Sequence, residues 1–167
     1  RAADSLREIA PDSGHLCHMP GHIDVLCGHY HHAVAASRRA IAADALYLDQ
    51  VGPYGFYTSA CCHDLHLMMY AAMLMGQYKP ARAAALGIES LLSEDVLRSD
   101  IPHLATTLEG YYSMGMHVEV RFGRWQEIID TPMPDDPVLY CVSTPMHHYA
   151  KGVAYAALKN FTAADEE

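Results

Sequence analysis

Apolar residues recur at spacings of three and four through most of the chain, which is the period of amphipathic helices. HIDVLC, before Gly28, has this spacing, and so does AVAASRRAIAAD, after His32. LMMYAAMLM, at 67–75, is apolar on every side and predicts a helix buried between its neighbours. The pattern therefore predicts an all-α chain.

A short phrase recurs four times between these apolar stretches: a small residue, any residue, an aromatic residue, two further residues, and Ala or Ile. It is GHYHHA at 28–33, GQYKPA at 76–81, GRWQEI at 123–128 and, with a changed start, KNFTAA at 159–164. Glycine accepts backbone angles that are closed to other residues, so the phrase predicts a tight turn between two helices. We expect the aromatic residue to fill the groove between the paired helices and the last residue to let them approach closely.

This phrase resembles the G-x-Y-x-x-A core of tetratricopeptide repeats, in which antiparallel helix pairs stack into an α-solenoid. The resemblance implies a single helical-repeat array over residues 1–167. The phrases lie further apart than the repeat length of the family, so we expect long loops at 48–60 and 130–139. The expected elements are the second helix of a preceding repeat at 1–10 and helical pairs at 18–45, 63–92, 108–130 and 146–167.

Neither end of the sequence carries the polar capping repeat that a solenoid needs. The first residues are predicted to belong to an earlier repeat, and the last ones, AADEE, lie inside a second helix. We therefore expect the chain to be a segment of a larger protein, or to bury its ends against other copies of itself.

Composition narrows the classes of partner. Twenty acidic and eleven basic side chains give a formal net charge of −9, and no basic cluster exceeds Arg38–Arg39, which argues against a nucleic-acid partner. The longest apolar run, 65–75, is too short to span a bilayer.

Five cysteines without C-x-x-C spacing indicate reduced thiols and a cytoplasmic protein. Cys17 and Cys61 are expected to serve as small buried apolar residues.

Histidine is over-represented, with twelve residues in the chain. HLCHMPGH places His15, His18 and His22 at offsets of three and seven, which is one stripe of a continuous helix. Pro20 is comfortable only in the first turn of a helix. We therefore expect the helix to begin near His18, with His15 on the incoming segment.

The next repeat places histidines in the same slots. His63 and His66, in CCHDLH, precede Gly76 by the same intervals by which His15 and His18 precede Gly28. In tetratricopeptide arrays the first helix of each pair lines the concave surface, and the resemblance implies ligand contacts about ten and six residues before the glycine. The residues that match these slots are His18, His66, His22, Tyr70 and His117.

A second resemblance extends over nearly the whole chain. HLCHMPGHI, CCHDLHLMMYAAMLMGQY and HHYAKGVAYAAL resemble a group of long, histidine-rich tetratricopeptide-like proteins of bacteria and algae, with the phrases H-x-x-H-M-P-x-H-I, H-N-x-H-F and H-Y-A-[RK]-G. This resemblance brings in His148, which lies beside His147 at the start of the fourth pair. It also places Asp64 where the group tends to have Asn.

Imidazoles from adjacent first helices, about 8–10 Å apart, are able to reach a common point. Neutral imidazoles favour Zn, Cu, Ni or Fe, and a carboxylate from Asp64 or Asp24 is a candidate additional ligand. A single histidine is more often a cap or a polar contact than a ligand. The exposed side is expected to carry His29, His31 and His32. The predicted metal ligands are His15, His18, His22, His63, His66 and His148.

Three hypotheses of function follow. The chain is a binding module with a histidine-lined concave groove that holds a transition metal, or a metal-free scaffold for a protein or peptide, or a subunit that assembles with other copies into a filament or ring. The known nucleophile, phosphate-binding and zinc-protease motifs do not occur. A metal-dependent enzyme fits the histidines, but no reaction is assigned.

Overall fold

The computed structural model describes residues 2–100 and 104–167, and within them every regular element is a helix. The predicted all-α class is confirmed. No helix in this part of the chain has the length and apolar character needed to cross a membrane. The helices are α1 (Ala2–Leu6), α2 (Gly14–Leu26), α3 (Tyr30–Val51), α4 (Tyr57–Leu74), α5 (Tyr78–Leu91), α6 (Glu94–Leu97), α7 (Leu104–Tyr112), α8 (Met114–Arg121), α9 (Trp125–Asp130), α10 (Ser143–Ala157) and α11 (Phe161–Glu166).

Each of the four recurring phrases forms a turn between two helices. The residue that opens the phrase has a positive φ, between 63° and 75°, at Gly28, Gly76, Gly123 and Lys159. The next amide donates to the carbonyl five residues back, as His29 N does to Asp24 O at 2.7 Å, which closes the helix with a Schellman cap. The aromatic residue then begins the second helix, at Tyr30, Tyr78, Trp125 and Phe161.

The last position of the phrase lies where paired helices approach most closely. Ala33, Ala81 and Ile128 are fully buried at this position. The aromatic residues of the first three phrases are partly buried and pack against the core. Phe161 is 65% exposed, so the expectation that it fills a groove is wrong for the fourth phrase.

Contacts between hairpins follow their order along the chain. α4 packs on both α2 and α3, α7 and α8 pack on α4 and α5, and α10 packs on α7, α8 and α9. The main core lies between the first two hairpins and α8, where small alanines allow close helix contacts. Its buried residues are Ala33, Val34, Met68, Met69, Ala71, Ala72, Ala81, Ala84, Ala85 and Val118.

Several predicted boundaries differ from the structure. α2 begins at Gly14 rather than near His18, so Pro20 lies inside the helix and His15 belongs to it. The loop predicted at 48–60 is too long, because α3 continues to Val51 and only residues 52–56 separate it from α4. The apolar spacing of α3 runs on until Gly52, whose positive φ ends it, and a proline follows.

The other predicted boundaries of helices and loops differ less from the structure. The loop predicted at 130–139 is confirmed, since residues 131–142 form no helix. The first helix of the third pair begins at 104 and is divided into α7 and α8 at Ser113. The predicted N-terminal helix is the short α1, while Arg1 lies outside the described residues. Arg7 ties α1 to α2 through a two-point ion pair with the buried Asp24, at 2.8 and 3.0 Å.

Candidate metal centre

Four histidine rings converge where α2 packs on α4. His15, His18 and His22 come from α2, and His63 comes from the facing side of α4. The ring centroids of the contacting pairs lie 4.5 to 5.5 Å apart. Four of the six predicted ligands are therefore brought into one cluster, which we call the four-histidine cluster.

The helix geometry explains why α2 supplies three of the four rings. Because α2 is continuous from Gly14, residues 15, 18 and 22 share one stripe of its surface. Pro20 is buried in the same helix, although it has no amide to donate to the preceding turn. Gly21 allows the close approach of α2 to α4, since a Cβ there would lie 2.8 Å from Leu67 Cδ2.

The Nε2 atom of His22 lies close to the Nε2 atoms of two other rings. His18 Nε2 lies 2.8 Å from His22 Nε2, and His63 Nε2 lies 3.3 Å from His22 Nε2. In a tetrahedral zinc site with Zn–N bonds of about 2.0–2.1 Å, neighbouring nitrogens lie about 3.3–3.4 Å apart. The His22–His63 pair already has this separation, and the His18–His22 pair needs to open by about half an ångström.

A second, overlapping set of ligand atoms contains His15 in place of His22. Ligand atoms of His15, His18 and His63 all lie within 4.8 Å of one another. The His18 side chain is fully buried, whereas that of His15 is 42% exposed. The cluster is therefore closed on the His18 side and reachable from solvent at His15.

Burial favours the neutral form of three of these rings. Burial, followed by the charge that His63, His22 and His15 would carry, lowers the pKa of His18 to about 3. Burial is also the main cause that lowers the pKa of His22 and of His63. A neutral imidazole offers the lone pair that a metal ion needs, so the cluster is in its ligating form at neutral pH.

Asp64 lies behind the rings rather than among their Nε2 atoms. It is fully buried on α4, and its Oδ1 accepts from His15 Nδ1 at 3.4 Å. The same oxygen is 3.3 Å from His18 Nδ1, but off the axis of a hydrogen bond. A carboxyl group on Nδ1 fixes the tautomer whose Nε2 lone pair is free for a metal. Asp64 therefore orients the His15 ring, and the hypothesis that it is itself a ligand is not supported by its position.

A second buried carboxyl group, Asp44 of α3, supports Asp64. Asp44 Oδ1 accepts from Tyr57 Oη at 2.8 Å, and the two carboxyl groups lie close enough to interact. The Oδ2 atoms of both have no partner among the described residues, and a proton shared between the two groups would satisfy both. Burial, and then the charge of Asp44, raise the pKa of Asp64 to about 8, so Asp64 holds the proton at neutral pH.

Sequence reasoning missed Asp44 and Tyr57. The signal for Asp44 is a lone carboxylate within the apolar run AIAADALYL, at a position that the helical period assigns to the buried face. No comparable signal exists for Tyr57, which lies in a segment that we predicted to be a loop. It opens α4 and contacts Asp44 only because α4 packs against α3.

Two predicted ligands lie elsewhere. The His66 ring packs edge-on against Tyr111, with centroids 5.6 Å apart. His148 is exposed on α10, where its Nδ1 lies 2.7 Å from Glu167 Oε2. We therefore leave His66 and His148 out of the candidate site.

The remaining candidates also lie outside the cluster. His29, His31 and His32 are exposed, as predicted. His29 and His32 approach Asp24, but both oxygens of this carboxylate are held by Arg7. The five cysteines are free, and burial raises the pKa of the Cys17 and Cys61 thiols, so these two are not activated nucleophiles.

The donor set limits the chemistry of the cluster. Neutral imidazoles with no carboxylate among the Nε2 atoms suit Zn, Cu, Ni or Fe and disfavour metals that prefer oxygen, such as Ca or Mg. Comparisons with models of protein families, with curated proteins and with solved structures found no match.

Proposed function

We propose that the chain is a tetratricopeptide-like helical-repeat module whose first two hairpins hold a transition-metal ion. The ligands are His18, His22 and His63 through Nε2, and His15 lies at the open side. The observation that carries the proposal is the convergence of three Nε2 atoms from two helices, with neighbouring pairs at 2.8 and 3.3 Å. Three buried or half-buried imidazoles so placed are costly to assemble without a charge or proton to share.

Zinc is the ion that fits best. It accepts three or four imidazoles in a tetrahedral arrangement and carries no redox requirement. The fourth position faces the half-exposed His15, so it is filled by this ring or by a water molecule. A zinc ion with three histidine ligands and a bound water is able to activate that water, but no substrate is assigned.

The order of helix packing supports the repeat architecture. Successive hairpins contact one another, and the same capped turn joins the two helices of each hairpin. In such an array α2 and α4 are first helices, so the four-histidine cluster belongs to the concave side. A cytoplasmic location is also part of the proposal, because all five cysteines are free.

A peptide or another copy of the chain in the groove is the second candidate function. It is favoured by Tyr70 and Leu74 of α4, large apolar side chains that are 43% and 41% exposed. Self-assembly predicts that the apparent size in gel filtration grows with protein concentration. An unchanged monomeric size across a wide concentration range removes the self-assembled form of this candidate.

The metal proposal is tested by elemental analysis of protein purified without a histidine tag. After incubation with zinc and removal of the excess, we expect about one ion per chain. His22→Ala and His63→Ala are each expected to lose most of it, whereas His31→Ala, which removes an exposed ring of α3, keeps it. Less than about a tenth of an equivalent in the parent protein, after incubation with zinc and with copper, contradicts the proposal.

A further inference from the structure

Two adjoining cavities are lined by residues of α5 to α10 and of the segment 131–142, and by none of α2. The first, of about 510 Å³, lies between α6, α7, α10 and the segment 131–142. The second, of about 240 Å³, lies between α5, α8, α9 and α10. Tyr112, Thr131 and His147 line both. The cavities therefore adjoin at these three residues, and we call the pair the His147 cleft.

Both ends of the His147 cleft keep a negative charge. In the first cavity a single guanidinium, that of Arg98, is shared by Glu94 at 2.7 Å and Asp136 at 2.6 Å. Asp135 lines this cavity as well and is exposed. Each arginine charge cancels only one carboxylate, so this end attracts cations.

In the second cavity, too, one arginine is shared by two carboxylates. Arg82 is shared by Glu119 at 2.9 Å and Glu89 at 3.0 Å. Tyr78 Oη donates to Glu119 as well, at 3.1 and 3.2 Å. Gly115 leaves the space for Glu89, since a Cβ there would lie 2.4 Å from its Oε1. The packing thus keeps a carboxylate in the second cavity also.

His147, in the middle of the cleft, supplies a hydrogen-bond acceptor. His147 is only 6% exposed, and its Nδ1 lies 2.7 Å from Ser143 O. A carbonyl oxygen only accepts, so Nδ1 carries the ring proton and Nε2 carries the lone pair. The hydrogen bond to Ser143 O is the one that the His147 ring makes within residues 2–100 and 104–167. Because His147 lines both cavities, its Nε2 lone pair is available to a donor group of a ligand there.

We propose that the His147 cleft binds a linear aliphatic polyamine. One N–H group of the ligand donates to His147 Nε2, and the ammonium groups on either side lie near the carboxylates of the two cavities. The rings of Tyr112 and Tyr140, 5.0 Å apart, offer faces for the methylene chain and for a cation. Among the residues that line the two cavities, both guanidinium groups are already shared by carboxylates and His147 offers an acceptor, so a cation is favoured over an anion.

The test is isothermal titration calorimetry with spermidine near physiological ionic strength, with 1,8-octanediol as an uncharged probe of similar length. The parent protein is expected to bind spermidine saturably and not the diol. His147→Asn keeps a donor for Ser143 O and removes the Nε2 acceptor. It is expected to weaken binding about tenfold, whereas His148→Asn on the exposed face of α10 has no effect.

A second pair of variants separates the site from general attraction to an acidic protein. Asp135→Asn is exposed and is expected to weaken binding severalfold, while Asp49→Asn, an exposed acid of α3, does not. Absence of saturable binding overturns the proposal. So does equal binding by His147→Asn and the parent, or an equal loss for Asp135→Asn and Asp49→Asn. If His147→Asn does not fold, the two aspartate variants decide.

Discussion

His63 Nε2, on α4, lies 3.3 Å from His22 Nε2, on α2, across the interface between the first two hairpins. An ion bound by both rings joins two helices that are separated in sequence by the whole of α3. Since the unfolded chain has no such preformed site, binding free energy becomes folding free energy. Metal binding and stability should therefore change together.

Zinc is expected to stabilise the protein against heat. At a free zinc concentration one hundred times the Kd, the free energy of unfolding rises by about 2.7 kcal/mol, which corresponds to an increase in Tm of about 5–10 °C for a chain of this size. Thermal unfolding followed by circular dichroism measures this shift. His63→Ala should lose it and His31→Ala should keep it, and an equal shift in both variants is incompatible with the proposed ligands.

Asp64→Asn is expected to preserve folding and zinc binding. Asp64 holds the shared proton, so its carbonyl oxygen faces the imidazoles and its donor faces Asp44, and an amide offers the same two groups. Asp64→Leu removes the partner of the buried Asp44 carboxylate and is expected to lower the free energy of unfolding by about 3–5 kcal/mol. Urea unfolding and zinc titration of both variants check this.

The parent protein and Asp64→Asn are expected to differ in the pH dependence of their stability at alkaline pH. The folded pKa of Asp64, about 8, lies above its unfolded value of 3.8, so its contribution to stability is complete below the unfolded pKa and is lost as pH rises through 8. Asp64→Asn does not titrate. Its stability relative to the parent should therefore increase between pH 6 and 9, and parallel pH profiles in urea unfolding would show that Asp64 is already ionised.

Acid is expected to destabilise the metal-free protein through His18. The folded pKa of His18, about 3, lies below its unfolded value of 6.5, so its contribution is present above pH 6.5 and is lost as pH falls toward 3. The free energy of unfolding, measured in the presence of a chelator, should fall across this window. The fall should be shallower in His18→Gln, and an identical slope in the two proteins argues against a neutral buried ring.

Gly14→Ala is expected to disturb the packing of α2 against α3 beside the metal site. A Cβ at this position would lie 1.8 Å from Asp44 Oδ1 and 2.9 Å from the backbone oxygen of Ala40, so both Asp44 and α3 have to move. We expect a loss of about 1–3 kcal/mol in stability together with weaker zinc binding. Gly55→Ala is the matched control, because a Cβ there meets nothing within 4 Å. Equal stability of the two variants would show that the contact is not restrictive.

The turns were predictable from the sequence because they depend on local chemistry. Gly28 and its counterparts end one helix with a positive φ, and the aromatic residue two positions later begins the next helix. The stripe of His15, His18 and His22 was predictable for the same reason, since helical period alone sets it. The predicted start of α2 near His18 is too late, because Pro20 lies inside the helix and not in its first turn.

What depends on packing between helices was not predictable. His63 and His66 occupy the same sequence slots as His15 and His18, but α4 has neighbours on two sides. His63 faces α2, while His66 faces Tyr111 of α7. His148 lies on α10, whose contacts are with α7, α8, α9 and α11. Repetition in the sequence therefore located candidate ligands, and only the stacking of helices decided which of them meet.

X-ray absorption at the zinc edge tests the central claim most directly. For zinc-loaded protein the account predicts nitrogen donors at about 2.0–2.1 Å with the outer-shell scattering of three or four imidazole rings, and a loss of one ring in His63→Ala. A spectrum of the parent protein dominated by oxygen donors, or one that is the same in His63→Ala, would contradict it.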